Sequence, residues 1–312
     1  MLISLIVPCY NEEAALPHLY KAISDVRASM SDREFEFIFI DDGSKDKTAS
    51  IIRDLASSDK DVRYVIFSRN FGKEAAMYAG LEKSKGDYVA IMDADMQDPP
   101  ALIPEMVSLL DSNEADIVAA RRVTRKGEPI IRSAFARAFY KLINKMTEVE
   151  IADGARDFRL MRRSVVNAII SVGERQRFSK GIFAWVGFRT KWLEHENVER
   201  VAGETKWSFW KLFKYAVDGI VAFTTAPLRF ATYSGMLFSM LAFFYLVYYF
   251  VKAVILRIWN EVPGYPSLLC FILFIGGLIL MALGILGEYI GRTFIEAKQR
   301  PIYIKAEEEN QD

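Results

Sequence analysis

Through the first 120 residues, short apolar runs alternate with helix-period patterns. ISLIVPCY (residues 3–10) reads as a buried strand and is followed by a helical pattern over about 14–30. EFEFIFIDDGS (34–44) is a second strand with a helix over about 46–57 behind it, and VRYVIFSRN (62–70) is a third with a helix over about 73–84. DYVAIMDAD (87–95) is a fourth strand, with a helix over about 101–110, and DIVAARR (116–122) is a fifth. Apolar strands, each followed by a helix, predict an α/β domain built on a mostly parallel sheet with helices on both faces. From about 124 to 179 the pattern becomes irregular and arginine-rich, with ARDFRLMRR in its middle.

The C-terminal third follows a different rule. No Asp, Glu, Lys or Arg occurs from Phe230 to Val251 or from Val262 to Gly287, stretches of 22 and 26 residues. About 20 apolar residues suffice for a helix to cross a bilayer, and soluble helices of such length keep a polar face. Two membrane-spanning helices, at about 230–254 and 266–289, are therefore expected, forming a hairpin. Ahead of them, GETKWSFWKLFKYAVDGIVAF interleaves Trp207, Phe209, Trp210 and Phe213 with Lys206, Lys211 and Lys214, a composition suited to the headgroup layer. Lys206, Lys211, Lys214 and Arg229 before the hairpin, with Arg292, Lys298 and Arg300 after it, outweigh Lys252 and Arg257 in the loop. The positive-inside rule then places the N-terminal domain and the C-terminal tail in the cytoplasm, on a multi-pass protein of the inner membrane. The expected organisation is a catalytic domain at 1–204, interfacial helices at 205–229, the hairpin at 230–291 and a cytoplasmic tail at 292–312. The end of that tail, KAEEENQD, reads as disordered. Gly276, Gly277, Gly284, Gly287 and Gly291 in the second span would permit close helix packing and are compatible with a homo-oligomer.

Composition narrows the chemistry. Lys+Arg and Asp+Glu balance at 40 each, so no global field points to nucleic acid. Two cysteines far apart and two histidines, His18 and His195, leave no material for a zinc cluster, a disulfide framework or a multi-histidine metal site. The start, MLISLIVPCYNEE, reads as a first strand and not as a signal peptide. Neither a GxGxxG nor a GxxxxGK[ST] fingerprint is present. Carboxylates, arginines and lysines must carry whatever chemistry occurs.

The carboxylates gather where strands end: CYNEE, DDGS and DADMQD close the first, second and fourth strands. In an open α/β sheet, ligands bind beyond the carboxyl ends of the strands, so the three ends converge on one site. In DADMQD, Asp93 and Asp95 point to one side of the backbone and repel one another. A hard divalent cation, Mg2+ or Mn2+, relieves that repulsion, with Gln97 as a further oxygen ligand and substrate phosphates completing the set. A bare DxD is common in solvated loops; its place beside two other acidic strand ends favours the metal. Asp98, before the prolines, reads as a turn residue.

VPCYNEE, DDGSKDKT and DADMQDPP, in this order and spacing, resemble the family-2 glycosyltransferases of GT-A fold. DFRLMRR, the basic aromatic helix and the C-terminal hairpin resemble one branch of them, the polyprenyl-phosphate glycosyltransferases. The resemblance spans nearly the whole chain. It implies that Pro8, Tyr10, Asn11 and Glu12 line the nucleotide base pocket, that Asp41 and Asp42 hold base or ribose, and that Asp93 lies near the ribose. Asp95 and Gln97 resemble the metal ligands, and Asp157 the residue proposed as catalytic base. Arg122 and Arg132 fall roughly where acceptor-phosphate arginines lie, and Lys73, in NFGKEAA, is a further candidate on the nucleotide side. The implied reaction is an inverting displacement in which a polyprenyl (undecaprenyl) phosphate oxygen attacks the anomeric carbon of a nucleotide sugar. UDP-glucose or another UDP-hexose is the expected donor, and GDP-mannose the alternative. An acceptor phosphate with a second pKa of about 6 is mostly dianionic near neutral pH, so Asp157 has an orienting role open to it as well as a basic one. A processive polysaccharide synthase would carry QxxRW, whereas ERQRFSKG has no tryptophan after its arginine. A non-catalytic nucleotide-sugar-binding membrane protein would have no need of acidic motifs at three strand ends.

Overall fold

In the computed structural model, residues 1–122, 144–145, 152, 154–195, 217, 219–251 and 265–309 are described. Arg132 and most of the basic aromatic segment, including Trp207 and Trp210, lie outside them. The chain divides into two compact units, residues 1–219 together with 299–312, and residues 220–298.

The first unit is built on β1 (Leu2–Cys9), β2 (Glu34–Asp41), β3 (Val62–Phe67), β4 (Tyr88–Ile91), β5 (Ile117–Arg122), β6 (Ala155–Arg162), β7 (Thr190–His195) and β8 (Lys305–Glu308). They form one sheet in the order β7-β5-β6-β4-β1-β2-β3-β8. β6 and β8 run against the other strands. The helices are α1 (Leu16–Ser29), α2 (Thr48–Ser58), α3 (Lys73–Lys83), α4 (Ile103–Asp111, after a 3-10 turn at Pro100–Leu102), α5 (Arg163–Ser171) and α6 (Ser179–Trp185). The five strands expected from the apolar runs all form, and the four expected helices lie within two residues of their predicted ends.

The central strands form because both of their faces are covered. Ile3, Leu5 and Val7 with Phe35, Phe37 and Phe39 meet Leu16, Leu19, Ile23 and Val26 of α1 in one core. On β1, Ile6 faces α3, where a Cβ placed on Gly80 would come within 2.1 Å of Ile6 Cγ2. The small residues Ala75, Ala76, Ala79 and Gly80 let this helix press that close.

β1 lies between β2 and β4, so the chain reverses its direction of travel across the sheet at the β1–β4 boundary. β1 and β4 pair as far as Ile6 opposite Ile91, and Met92 N–H donates to Ile6 O at 3.0 Å. Pro8 has no N–H with which to continue the ladder. The strands therefore stop pairing at the topological switch point where ligands of such sheets bind.

Two expectations are overturned. The irregular arginine-rich stretch contains β6, inserted antiparallel between β4 and β5. The tail is ordered as far as it is described, to Glu309: β8 pairs with β3, Tyr303 stacks on Phe67 at 4.8 Å, and Glu307 takes a bidentate hydrogen bond from Arg53. Composition alone made the tail look disordered; an open β3 edge and complementary cations at Arg53 and Lys83 order it.

The second unit contains α7 (Ala226–Phe250) and α8 (Tyr265–Ala297). Among the described residues one helix, Phe271–Ala297, is long and apolar enough to cross a membrane. α7 exposes Phe230, Tyr233, Leu237, Leu241 and Phe244. The two helices meet at Phe238 and Phe274, whose rings lie edge to face at 5.8 Å. The Tyr289 hydroxyl donates to Thr224 O at 2.5 Å. Extended apolar surface of this kind marks contact with a non-aqueous partner.

Candidate active site

The loops after β1 and β2 are stitched together by their own polar side chains. Asn11 N–H donates to Ser44 Oγ at 2.8 Å, Lys45 N–H donates to Asn11 Oδ1 at 2.8 Å, and Glu12 N–H donates to Thr48 Oγ1 at 2.8 Å. Asn11 takes a positive φ of 53° to do this, a conformation asparagine tolerates better than most residues. Asp41 accepts from Ser44 N–H, and burial raises its pKa against those hydrogen bonds. The buried Asp42 carboxylate accepts from Phe71 N–H at 2.6 Å and Gly72 N–H at 2.9 Å. Burial nevertheless pushes its pKa up to about 6. Both aspartates thus order the loops that lead to the site, and Asp42 fixes the entry to α3. Gly43, with φ 68°, sits where a Cβ would come within 2.5 Å of the Arg69 carbonyl carbon, so a side chain has no room there.

The β4–β6 register decides the centre. Ile91 lies opposite Arg159; continued two residues beyond the ladder, the same register sets Asp93 opposite Asp157. The cation between them is Lys73, the first residue of α3. Its Nζ lies 2.6 Å from Asp93 Oδ1 and also hydrogen-bonds to Asp157 Oδ2. Burial opposes charge on Lys73, but Asp157 and Asp93 more than offset it and raise its pKa. For Asp93, burial outweighs the Lys73 charge and its pKa rises. Burial also pushes Asp157 up, yet Lys73, Lys180 and Arg159 together hold it well below the ordinary carboxylate range.

Arg159 is buried beside this pair with its guanidinium 3.6 Å from the Phe183 ring centre. It donates to Asp157 O at 3.2 Å and Arg156 O at 2.8 Å, and burial lowers its pKa to about 10. Arg159 braces the β6 backbone, therefore, and the Asp157 carboxylate is left to Lys73. The half-buried Glu74 accepts from Ser179 N–H at 3.0 Å and ties α3 to α6.

At the DxD loop, Gln97 N–H donates to Asp95 Oδ1 at 3.1 Å across Met96, which has a φ of 60°. This tight turn sets the Gln97 backbone against the Asp95 carboxylate, while the Gln97 side-chain oxygen accepts from Arg156 Nη2 at 3.3 Å. Among the described residues no three His, Cys, Asp or Glu side chains converge on a metal position. Two oxygen ligands from the protein suit Mg2+ or Mn2+, whose remaining positions phosphates and water fill, so the donor set fits. Asp98 is not a simple turn residue. It is 1% exposed, receives Arg156 Nε at 3.0 Å and lies 3.0 Å from His195 Nε2. Arg156 and His195 hold it ionised against the penalty of burial. Sequence reasoning missed Asp98, Lys180 and His195 because their neighbours come from distant strands; the excess of acid over base in DADMQD was the available signal that a cation had to arrive from elsewhere. Arg122 closes β5 opposite His195.

The chain matches the description "Glycosyl transferase family 2" over residues 4–170 and "GtrB C-terminal hairpin" over residues 226–293. It is 45% identical over 304 residues to the prophage bactoprenol glucosyl transferase homolog of Escherichia coli, covering 97% of this chain and 98% of that protein. The bactoprenol glucosyl transferase of Shigella phage SfV is likewise 45% identical, with 97% and 98% covered. An uncharacterized glycosyltransferase of Synechocystis is 44% identical over 302 residues, with 97% and 94% covered.

Proposed function

The chain belongs to glycosyl transferase family 2, and we propose that it transfers a hexose, glucose from UDP-glucose, to polyprenyl phosphate at the cytoplasmic face of a membrane. The observation that carries this reading is similarity over 97% of the chain to proteins named bactoprenol glucosyl transferase, through both the strand-end site and the apolar hairpin. A lipid acceptor also explains why a polar catalytic unit is joined to helices that expose Phe, Leu and Ile: the acceptor phosphate stays at the bilayer surface, and the site must be held there.

In this reading Pro8, Tyr10, Asn11 and Glu12 shape the base pocket, Asp41 and Asp42 order its loops toward base and ribose, and Asp93 faces the ribose. Asp95 and Gln97 would hold Mg2+ or Mn2+, which supplies neutralisation of the leaving diphosphate. Arg122 and Arg132 bind the acceptor phosphate. An acceptor phosphate oxygen bonds to the anomeric carbon, the bond from that carbon to the diphosphate oxygen breaks, and its electron pair leaves with the nucleoside diphosphate. Configuration inverts. Asp157, held as an anion by Lys73, Lys180 and Arg159, is a poor proton acceptor at neutral pH, and a dianionic phosphate needs no base. Asp157 therefore orients the reacting groups and fixes Lys73.

The test supplies purified full-length protein in detergent with polyprenyl phosphate and a panel of labelled nucleotide sugars, with and without Mg2+ or Mn2+. The expected result is metal-dependent label in the organic phase from UDP-glucose, with equimolar release of UDP. Preference for GDP-mannose would replace the donor, and absence of lipid-linked label from every donor would refute the transfer.

A further inference from the structure

A partly buried cluster next to the DxD carboxylates is left over from the scheme above. Arg156, at the start of β6, donates through Nε to both oxygens of Asp98, at 3.1 and 3.0 Å. Its Nη2 reaches Gln97 Oε1 at 3.3 Å. The Asp98 side chain is 1% exposed and that of His195, the last residue of β7, 7%. Three strands thus contribute to one network: β4 through the loop that follows it, β6 through Arg156 and β7 through His195.

A buried ion pair is weak evidence for stability, because desolvation offsets much of the attraction. What such a pair supplies is a fixed position. Here the fixed group is a guanidinium with one nitrogen on the side-chain oxygen of Gln97. The DxD loop needs an anchor of this kind, since Met96 sits in the left-handed region, which is uncommon for a residue without a short polar side chain. A Gln side chain otherwise rotates freely and presents either its oxygen or its nitrogen. An arginine N–H donates to the amide oxygen and not to the amide nitrogen, so Arg156 determines which end of the amide lies on its side and where that oxygen sits.

We propose that Arg156, clamped by Asp98 and backed by His195, is the positioning residue that sets the Gln97 carbonyl oxygen as a ligand for the divalent cation. The inference rests on the reading of Gln97 as a metal ligand. Partners that orient metal ligands typically change metal affinity by 10–100-fold when removed. Arg156→Lys keeps the charge opposite Asp98 but cannot bond Asp98 and Gln97 together from one rigid plane.

The experiment measures Mn2+ binding to the full-length protein in the presence of UDP, by the electron paramagnetic resonance signal of free Mn2+, alongside the melting temperature. For Arg156→Lys, affinity falls about tenfold. Gln97→Ala gives a similar fall, and the double variant binds no more weakly than Gln97→Ala alone, because the two changes remove one interaction. His195→Phe, which leaves the Arg156–Asp98 pair intact, weakens binding in the same direction by a smaller factor, and it serves should Arg156→Lys fail to fold. Mn2+ affinity unchanged in Gln97→Ala removes the ligand reading itself. A weaker Gln97→Ala together with unaltered affinity in Arg156→Lys and His195→Phe, or additive losses in the double variant, overturns the positioning role and leaves the ligand reading standing.

Discussion

Replacing Lys73 with methionine tests the electrostatic centre of the site directly. Methionine keeps most of the side-chain volume and deletes the ammonium that lies 2.6 Å from Asp93 and bonds Asp157. Exposed ion pairs contribute about 0–1 kcal/mol, whereas breaking a buried pair costs about 3–5 kcal/mol. Lys73 is 38% exposed against 21% for Asp93 and 16% for Asp157, so water recovers part of the loss and about 2 kcal/mol is expected. For a domain of roughly 150–250 residues that is a drop of about 4–8 °C in Tm. Because the damage is two carboxylates facing each other without the ammonium that bridges them, Lys73→Met/Asp157→Asn should melt higher than Lys73→Met alone. Lowering the pH from 8 to 5 should narrow the gap to wild type, since like charge and burial raise the pKa of one carboxylate and protonating it relieves the repulsion. The assay is intrinsic-fluorescence melting of the detergent-solubilised protein at each pH. A variant that melts with wild type, or a double variant less stable than the single one, would refute the bridging role of Lys73.

Asp42→Asn should flatten one limb of the stability–pH curve. The folded-state pKa of about 6 lies above the ordinary aspartate value of about 3.9, so its stabilising contribution is complete below the unfolded value and is lost as pH rises through 6. Wild type should therefore gain about 2–3 kcal/mol relative to the variant between pH 7 and 4; parallel melting curves would remove the burial argument. Truncation after Pro301 deletes β8, the Tyr303–Phe67 stack and the ion pairs of Glu307 and Glu308. It should lower Tm by about 4–8 °C and promote aggregation through the bared β3 edge, and unchanged melting and solubility would contradict the tail's structural role. Asp157→Asn should lower kcat about a hundredfold with an unshifted pH–rate profile from 6 to 9, as expected of an orienting group. Loss of an acidic limb from that profile would restore general-base catalysis.

Much of this was visible before any coordinates. The runs at ISLIVPCY, EFEFIFI and DYVAIM are apolar because parallel strands in the middle of a sheet are buried on both faces. The acidic residues closing them had to gather at one edge, since parallel strands end on the same side. The apolar hairpin was visible for the same kind of reason: long uncharged segments have few alternatives in water. β6 was not visible. ARDFRLMR shows neither clean alternation nor a continuous apolar run, because Arg159 is buried under Phe183 and Asp157 is held by a lysine 84 positions earlier. Asp98 looked like a turn residue for a similar reason, as its partners Arg156 and His195 arrive from two other strands.

The sequence by itself determined the layers, the direction of the first strands and the presence of an acidic site at their ends, because these depend on local burial and chain connectivity. Only the tertiary structure decided which cation answers which carboxylate. Lys73 meets Asp93 and Asp157, and Arg156 meets Asp98, through the insertion and register of an antiparallel strand. Such pairing is set by the packing of the whole sheet, and no stretch of sequence encodes it alone.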